Sequence, residues 1–131
     1  MPHALIEIRR ECAEAEELAL IDAVHGALQS AFRIPPGDRH IRLLVHEPRR
    51  FAVPPATAQP DRYTLVTIDA FAGRSLEAKR ALYRRIVANL EPLGIPPDHV
   101  SIVLRDIEQS NWGIRGGQAA CDVDLGFDVE V

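Results

Sequence analysis

The sequence predicts an α/β (α+β) fold: a duplicated β-α-β unit giving a four-stranded mixed sheet with two helices on one face, plus a C-terminal hairpin or strand. Three observations carry this expectation. Apolar residues switch twice from a period of two to a period near four and back. Ile34-Pro35-Pro36 returns as Ile95-Pro96-Pro97, 61 positions on, and Ile41 and Ile102 keep the same shift with no gap, while Ile6 falls on Thr67 and Leu28 on Asn89, so exact identity is local and the element order persists. After a glycine-rich turn, the tail alternates apolar and acidic residues. The 131 residues are read as one domain, 1–131, with halves of about 1–61 and 62–131.

Each element has its own signal. Ala4 to Ile8 reads as a short buried strand. From about Ala13, Leu18, Ile21, Val24, Leu28 and Phe32 mark one helical stripe, and Glu14 and Glu17 suit a helix N-terminus. Ile34-Pro35-Pro36-Gly37 stops that helix, because two prolines cannot continue its hydrogen bonds. His40 to His46 follows as a strand, with Ile41, Leu43 and Val45 on its apolar face. Glu47 to Arg62 holds four of the ten prolines and reads as an extended loop with a short hairpin around Phe51 to Val53. The pattern then repeats: a strand from Tyr63 to Ala70, an N-cap at Ser75, and a stripe of Leu82, Ile86, Leu90 and Leu93. Ile95-Pro96-Pro97 ends it, and Val100 to Leu104 is the fourth strand. Crossover helices make each strand pair parallel and right-handed. Val123, Leu125, Phe127 and Val129 complete a terminal strand. Helices on one face leave the other face of the sheet to be covered, most simply by oligomerisation.

Composition narrows the function. Apolar residues make up 47%, so the chain is globular, and aromatics only 5%, so its core is aliphatic. A net charge of −4 gives no basic footprint for nucleic acid. No apolar run is long enough to span a membrane, and Glu7, Arg9 and Arg10 break any signal-like opening. Cys12 and Cys121 have neither metal-ligand spacing nor a disulfide framework, which fits a cytoplasmic protein with reduced thiols. Asp122, Asp124, Asp128 and Glu130 fall at period two, on the solvated face of a strand, and Gly116-Gly117 lacks the lysine of a phosphate loop. No metal and no cofactor are expected.

Chemistry gathers at the start. A compact proline directly follows Met1, a context in which aminopeptidases commonly remove the methionine and leave Pro2 with a free secondary amine. A free α-amino group titrates near ~7.7–8.0, and apolar surroundings or a nearby arginine lower that value. Such an amine suits proton transfer near neutral pH. Asp38 follows Gly37 in a turn. Arg74 immediately precedes Ser75, so an anion could meet both its guanidinium and a helix N-terminus. His25, on the apolar stripe, reads as a core histidine and is left out of the site.

Five stretches together carry a resemblance: Met1-Pro2 with its strand, Asp22-Ala23-Val24-His25-Gly26, Phe32 to Arg39, Gly73-Arg74-Ser75, and Asn111 to Gly117. In this order and spacing the chain resembles the tautomerase superfamily, and more narrowly its malonate semialdehyde decarboxylase-like branch. The resemblance implies a tautomerase-type homotrimer of β-α-β-α-β layers, with sheets facing a central axis and a tail reaching a neighbouring subunit. It also implies roles: Pro2 as the acid–base amine, Asp38 as the assisting carboxylate, Arg74 as a substrate-binding arginine, and Trp112 and Ile114 as apolar substrate-binding wall. One departure stands out, because the branch places a second arginine where this chain has Ala72.

The implied activity is tautomerisation of a small 2-oxo or unsaturated carboxylic acid, with Arg74 gripping the carboxylate and neutral Pro2 shuttling the proton. Decarboxylation of a malonate semialdehyde-type acid, or hydration, is the alternative, weakened by the missing arginine. A non-catalytic trimeric binding protein is the third reading.

Overall fold

Alternation of side chains decides the sheet. In the computed structural model, which describes all 131 residues, β1 (His3–Ile8) buries Ala4, Ile6 and Ile8, and β3 (Thr64–Phe71) buries Thr64, Val66, Ile68 and Ala70. The two run antiparallel side by side, Ile6 opposite Val66 and Ala4 opposite Ile68. β2 (Ile41–Val45) pairs parallel with β1, and β4 (Val100–Ile107) pairs parallel with β3, giving the order β2-β1-β3-β4. The mixed sheet therefore has parallel outer pairs joined by an antiparallel centre. β5 (Gly113–Ile114) and β6 (Gln118–Ala119) form a separate small hairpin.

Both helices cover the same face. α1 (Glu14–Phe32) and α2 (Leu76–Leu90) insert Leu20, Val24, Ala27, Leu28, Phe32, Leu82, Ile86 and Leu90 into one core with the buried strand residues. The Asn89 amide donates to the Ala23 carbonyl across the helix pair at 3.0 Å, fixing their register. α2 starts where Ser75 Oγ accepts the Ala78 N–H at 3.1 Å. α1 has no side-chain cap and relies on Glu14, Glu16 and Glu17 in its first turn.

The structure corrects three expectations. Leu18 is off the buried stripe and 52% exposed; Leu20 takes its place, because the helix starts at Glu14 and its core face follows Leu20, Val24, Ala27 and Leu28. No hairpin forms around Phe51 to Val53. Prolines remove the ladder donors, and the loop instead makes single helical turns at Pro48–Arg50 and Pro60–Arg62. No strand forms over Val123 to Val129. Asp124 and Asp128 each accept the N–H two residues on, at 3.0 and 2.9 Å, and these turns compete with strand pairing.

The tail packs against the rest of its own chain. Its apolar residues pack over Phe71 and Ile114, and the Val131 carbonyl accepts the Ser75 N–H at 3.0 Å. The shift of 61 is local, as the sequence already indicates. Ile34 and Ile95 are both buried, but the inward residues of β1 and β3 are all even-numbered, so a shift of 61 would put Ile6 on the outward Thr67.

The opposite face of the sheet carries Leu5, Leu65, Leu44 and Val103, the last two about half exposed. Polar pairs interrupt them: Glu7 with His46 at 2.9 Å, and Asp69 with Arg105 through two hydrogen bonds. No helix is long and apolar enough to cross a membrane.

Candidate active site

One end of the sheet collects the groups singled out in the sequence. β1 begins there, β2 begins there, and β3 ends there. Pro2 leads β1 on its core-facing side and is buried. Asp38 enters from the turn after α1, where Arg33 adopts the left-handed conformation and the Asp38 N–H returns to the Pro35 carbonyl at 3.0 Å. His25 Nε2–H donates to the Pro36 carbonyl at 2.9 Å and pins the same turn from inside. The aspartate side chain is 10% exposed, and its Oδ2 lies 3.3 Å from the amine of Met1. Oδ1 faces His40 Nε2 at 3.4 Å.

Arg74 arrives from β3 through Gly73. That glycine sits at φ +134°, with Val129 close against the position a side chain would take. The Arg74 side chain is buried. Nη1 donates to the Phe71 carbonyl at 3.1 Å, and the guanidinium lies over the Phe32 ring, 4.7 Å from its centroid. Nε and Nη2 have no partner. These two N–H groups form the edge that takes a carboxylate bidentately. Leaving them buried and unmatched sacrifices about 1–3 kcal/mol apiece, which a bound anion would return.

The electrostatics follow from that arrangement. Burial pushes the Met1 amine down to about 6; Asp38 opposes the shift and Arg74 adds to it. Burial also lowers Arg74, against the pull of Asp106, Asp38 and Asp128. An amine with that value is largely neutral at pH 7 and can accept a proton.

A cavity of about 250 Å³ opens beside Asp38, lined among others by Met1, His40, Arg115, Leu125 and Phe127. Its apolar wall comes from the tail, which the sequence reading took for a strand. Trp112 stands edge-on to both Phe71 and His3, at 4.8 and 4.9 Å, and lines a separate cavity of about 320 Å³ with His3, Asp69 and Asn111. Ile114 is buried with Phe71, Ala120 and Val129. The structure thus brings Pro2, Asp38 and Arg74 to one end. Trp112 reaches that end through His3 and Phe71, and Ile114 shares the buried cluster of Phe71, whose carbonyl accepts from Arg74. His40, Phe32, Leu125 and Phe127 were missed; only the apolar letters of the tail could have hinted at the last two. No cluster of His, Cys, Asp or Glu is placed to hold a metal ion.

The family model for tautomerase enzymes matches residues 38–115, from the site aspartate to the Gly-rich hairpin. The chain belongs to the tautomerase family. Among solved structures it is similar to the FG41 malonate semialdehyde decarboxylase inhibited by 3-bromopropiolate, at 26% identity, 89% of this chain, 92% of that one and a TM-score of 0.80. A second malonate semialdehyde decarboxylase, solved to explain decarboxylase and hydratase activities, matches at 25% identity, 93% and 99% coverage and a TM-score of 0.81. A fused 4-OT solved as a symmetric trimer matches at 26% identity, 90% and 95% coverage and a TM-score of 0.79. This tautomerase chain shares with all three the four-stranded layer and its two helices.

Proposed function

We propose that the protein is a keto–enol tautomerase acting on a small 2-oxo or unsaturated carboxylic acid, with the Pro2 amine as acid–base group after loss of Met1. The observation that carries this reading is the free Nε/Nη2 edge of buried Arg74, at the same end as a carboxylate and a low-pKa amine. Removing Met1 moves the amine by one residue, about 3.8 Å between Cα atoms, so it stays within the pocket that depresses it. It also withdraws the Met1 side chain from the cluster around Phe71 and Ile114. Met1 lines the cavity beside Asp38, and its amine is near enough to Arg74 for the guanidinium to help lower it. There Arg74 holds the carboxylate, neutral Pro2 takes a proton from one atom and returns it to another, and Leu125 and Phe127 exclude water.

Decarboxylation is the second reading, favoured by the similarity to two malonate semialdehyde decarboxylases. It has less support, because Ala72 offers no second cation beside Arg74. We further propose a homotrimer, because a fused 4-OT of similar fold is a symmetric trimer, and we assign the contact to the open sheet face.

Three measurements test these proposals. Intact mass reports whether Met1 is removed. Enol absorbance of an arylpyruvate and acetaldehyde release from malonate semialdehyde rank the two reactions. Pro2→Ala is expected to lose most isomerisation, about a hundredfold, with an unchanged trimer by light scattering. Full turnover in Pro2→Ala would refute the mechanism, and efficient decarboxylation by the unaltered chain would reverse the ranking.

A further inference from the structure

We infer that Phe32 is the positioning residue of the anion site: its ring holds the Arg74 guanidinium where the free Nε/Nη2 edge can take a carboxylate. This rests on the reading of Arg74 as the carboxylate grip and deepens it. The ring is fixed first. Phe32 is the last residue of α1 and wholly buried in the main core, and the Arg33 N–H returns to the Gln29 carbonyl at 3.0 Å to close the helix behind it. Arg33 is left-handed there, and Pro35 and Pro36 keep the helix from running on past the ring.

The guanidinium is laid on that ring. Its central carbon is 4.7 Å from the ring centroid, within the distance at which an aromatic face attracts a cation. Nη1 donates to the Phe71 carbonyl at 3.1 Å, and Nε and Nη2 donate to nothing. The ring and one carbonyl are therefore what hold a buried charge.

Competition makes the choice of partner matter. Asp106, Asp38 and Asp128 all attract the guanidinium, yet each carboxylate has other company. Asp106 takes Lys79 at 2.7 Å, Asp38 faces His40 at 3.4 Å, and Asp128 accepts the Glu130 N–H at 2.9 Å. An ion pair between Arg74 and any of them would close the Nε/Nη2 edge. A carboxylate uses up two donors of a guanidinium, whereas an aromatic face attracts the cation without using any. Phe32 thus stabilises the buried charge and leaves its donors open. Without the ring, Arg74 divides its time between the ligand-ready position and these carboxylates, and the apparent affinity falls by the fraction left ready. Phe32 acts through Arg74, so the proton-transfer step itself does not depend on it.

The test weakens the face of the ring and leaves its shape. The probe is benzoylformate, a 2-oxo acid with no enolisable hydrogen, which binds without turning over. Phenylalanines carrying one, two and three ring fluorines, placed at position 32 alone, drain the negative face step by step. The Kd of benzoylformate should rise with each fluorine, to about tenfold with three. Phe32→Leu should weaken binding at least as much and raise the KM of an arylpyruvate, while kcat at saturation holds. A Kd that is flat across the fluorine series, or a fall in kcat with KM unchanged, would overturn the proposal. The ¹⁵Nε resonance of Arg74 needs no ligand and should move with each fluorine; a fixed resonance overturns the positioning. A resonance that moves in a chain that binds no benzoylformate leaves the positioning standing and refutes the carboxylate grip instead.

Discussion

The two ends of the sheet are built from the same sequence of elements and finished in opposite ways. At the far end, β3 and β4 begin beside His99, as β1 and β2 begin beside Asp38 at the site end. His99 is buried and fully matched: Nε2 accepts the Gln59 N–H at 3.0 Å, so Nδ1–H donates to Asp98 at 2.7 Å. At the site end, buried Asp38 Oδ2, Arg74 Nε and Nη2, and His25 Nδ1 lack hydrogen-bond partners, whereas the far end leaves only Arg9 Nε. The polar groups of one end hold a loop in place. Those of the other are left unpartnered, which the proposed function reads as readiness for a ligand. One strand-helix-strand plan thus ends in matched polar groups on one side and unmatched ones on the other, as the proposed binding role requires.

Replacing Arg74 should widen that contrast most. Arg74→Met removes the carboxylate grip and is expected to lower kcat/KM about a hundredfold, on the scale of about 1.5–3 kcal/mol for a charge-assisted hydrogen bond. It also removes a buried, half-matched cation, so the melting temperature should hold or rise. A marked fall in melting temperature alongside intact activity would erase the distinction between the ends.

The next effect is on pH. Burial lowers the Met1 amine to about 6, and the Pro2 amine freed beside it is expected to be lowered in the same direction, so activity should be full at neutral pH and fall about tenfold per unit well below the lowered midpoint. Asp38 opposes the lowering, so Asp38→Asn should move the midpoint of kcat/KM further down. A midpoint near the ordinary ~7.7–8.0 of a free terminus would mean that the pocket does not shift the amine.

The smallest effect belongs to the far end. His99→Ala strands the Gln59 N–H and should cost about 1–3 kcal/mol of stability, read in denaturant unfolding, with turnover retained. Loss of turnover without loss of stability would show that the two ends are coupled.

Local signals in the sequence reached as far as local forces do. Ser75 caps α2, Ile34-Pro35-Pro36 ends α1, and Leu82, Ile86 and Leu90 face the core, because period, cap and breaker act within a few residues. The tail misled for the same reason. Its alternation imitates a strand, while Asp124 and Asp128 divert the backbone into turns and Phe71 supplies a distant place to pack. Pro2, Asp38 and Arg74 were legible as letters of a family pattern. That His40 lies against Asp38, or that Phe32 and the Phe71 carbonyl hold Arg74, depends on strands and helices meeting across long separations, which no local period records.

The depressed amine has a practical consequence for labelling. Lys79 is the only lysine in the chain, and its ammonium is tied to Asp106 at 2.7 Å. A mild acylating reagent used near pH 6.5 therefore meets one nucleophilic amine per chain that gives a stable amide, because ordinary lysines near ~10.4 are almost wholly protonated there. Titrating the protein with such a reagent would count competent termini directly. Fragmenting the labelled peptide would tell whether methionine or proline carries the mark.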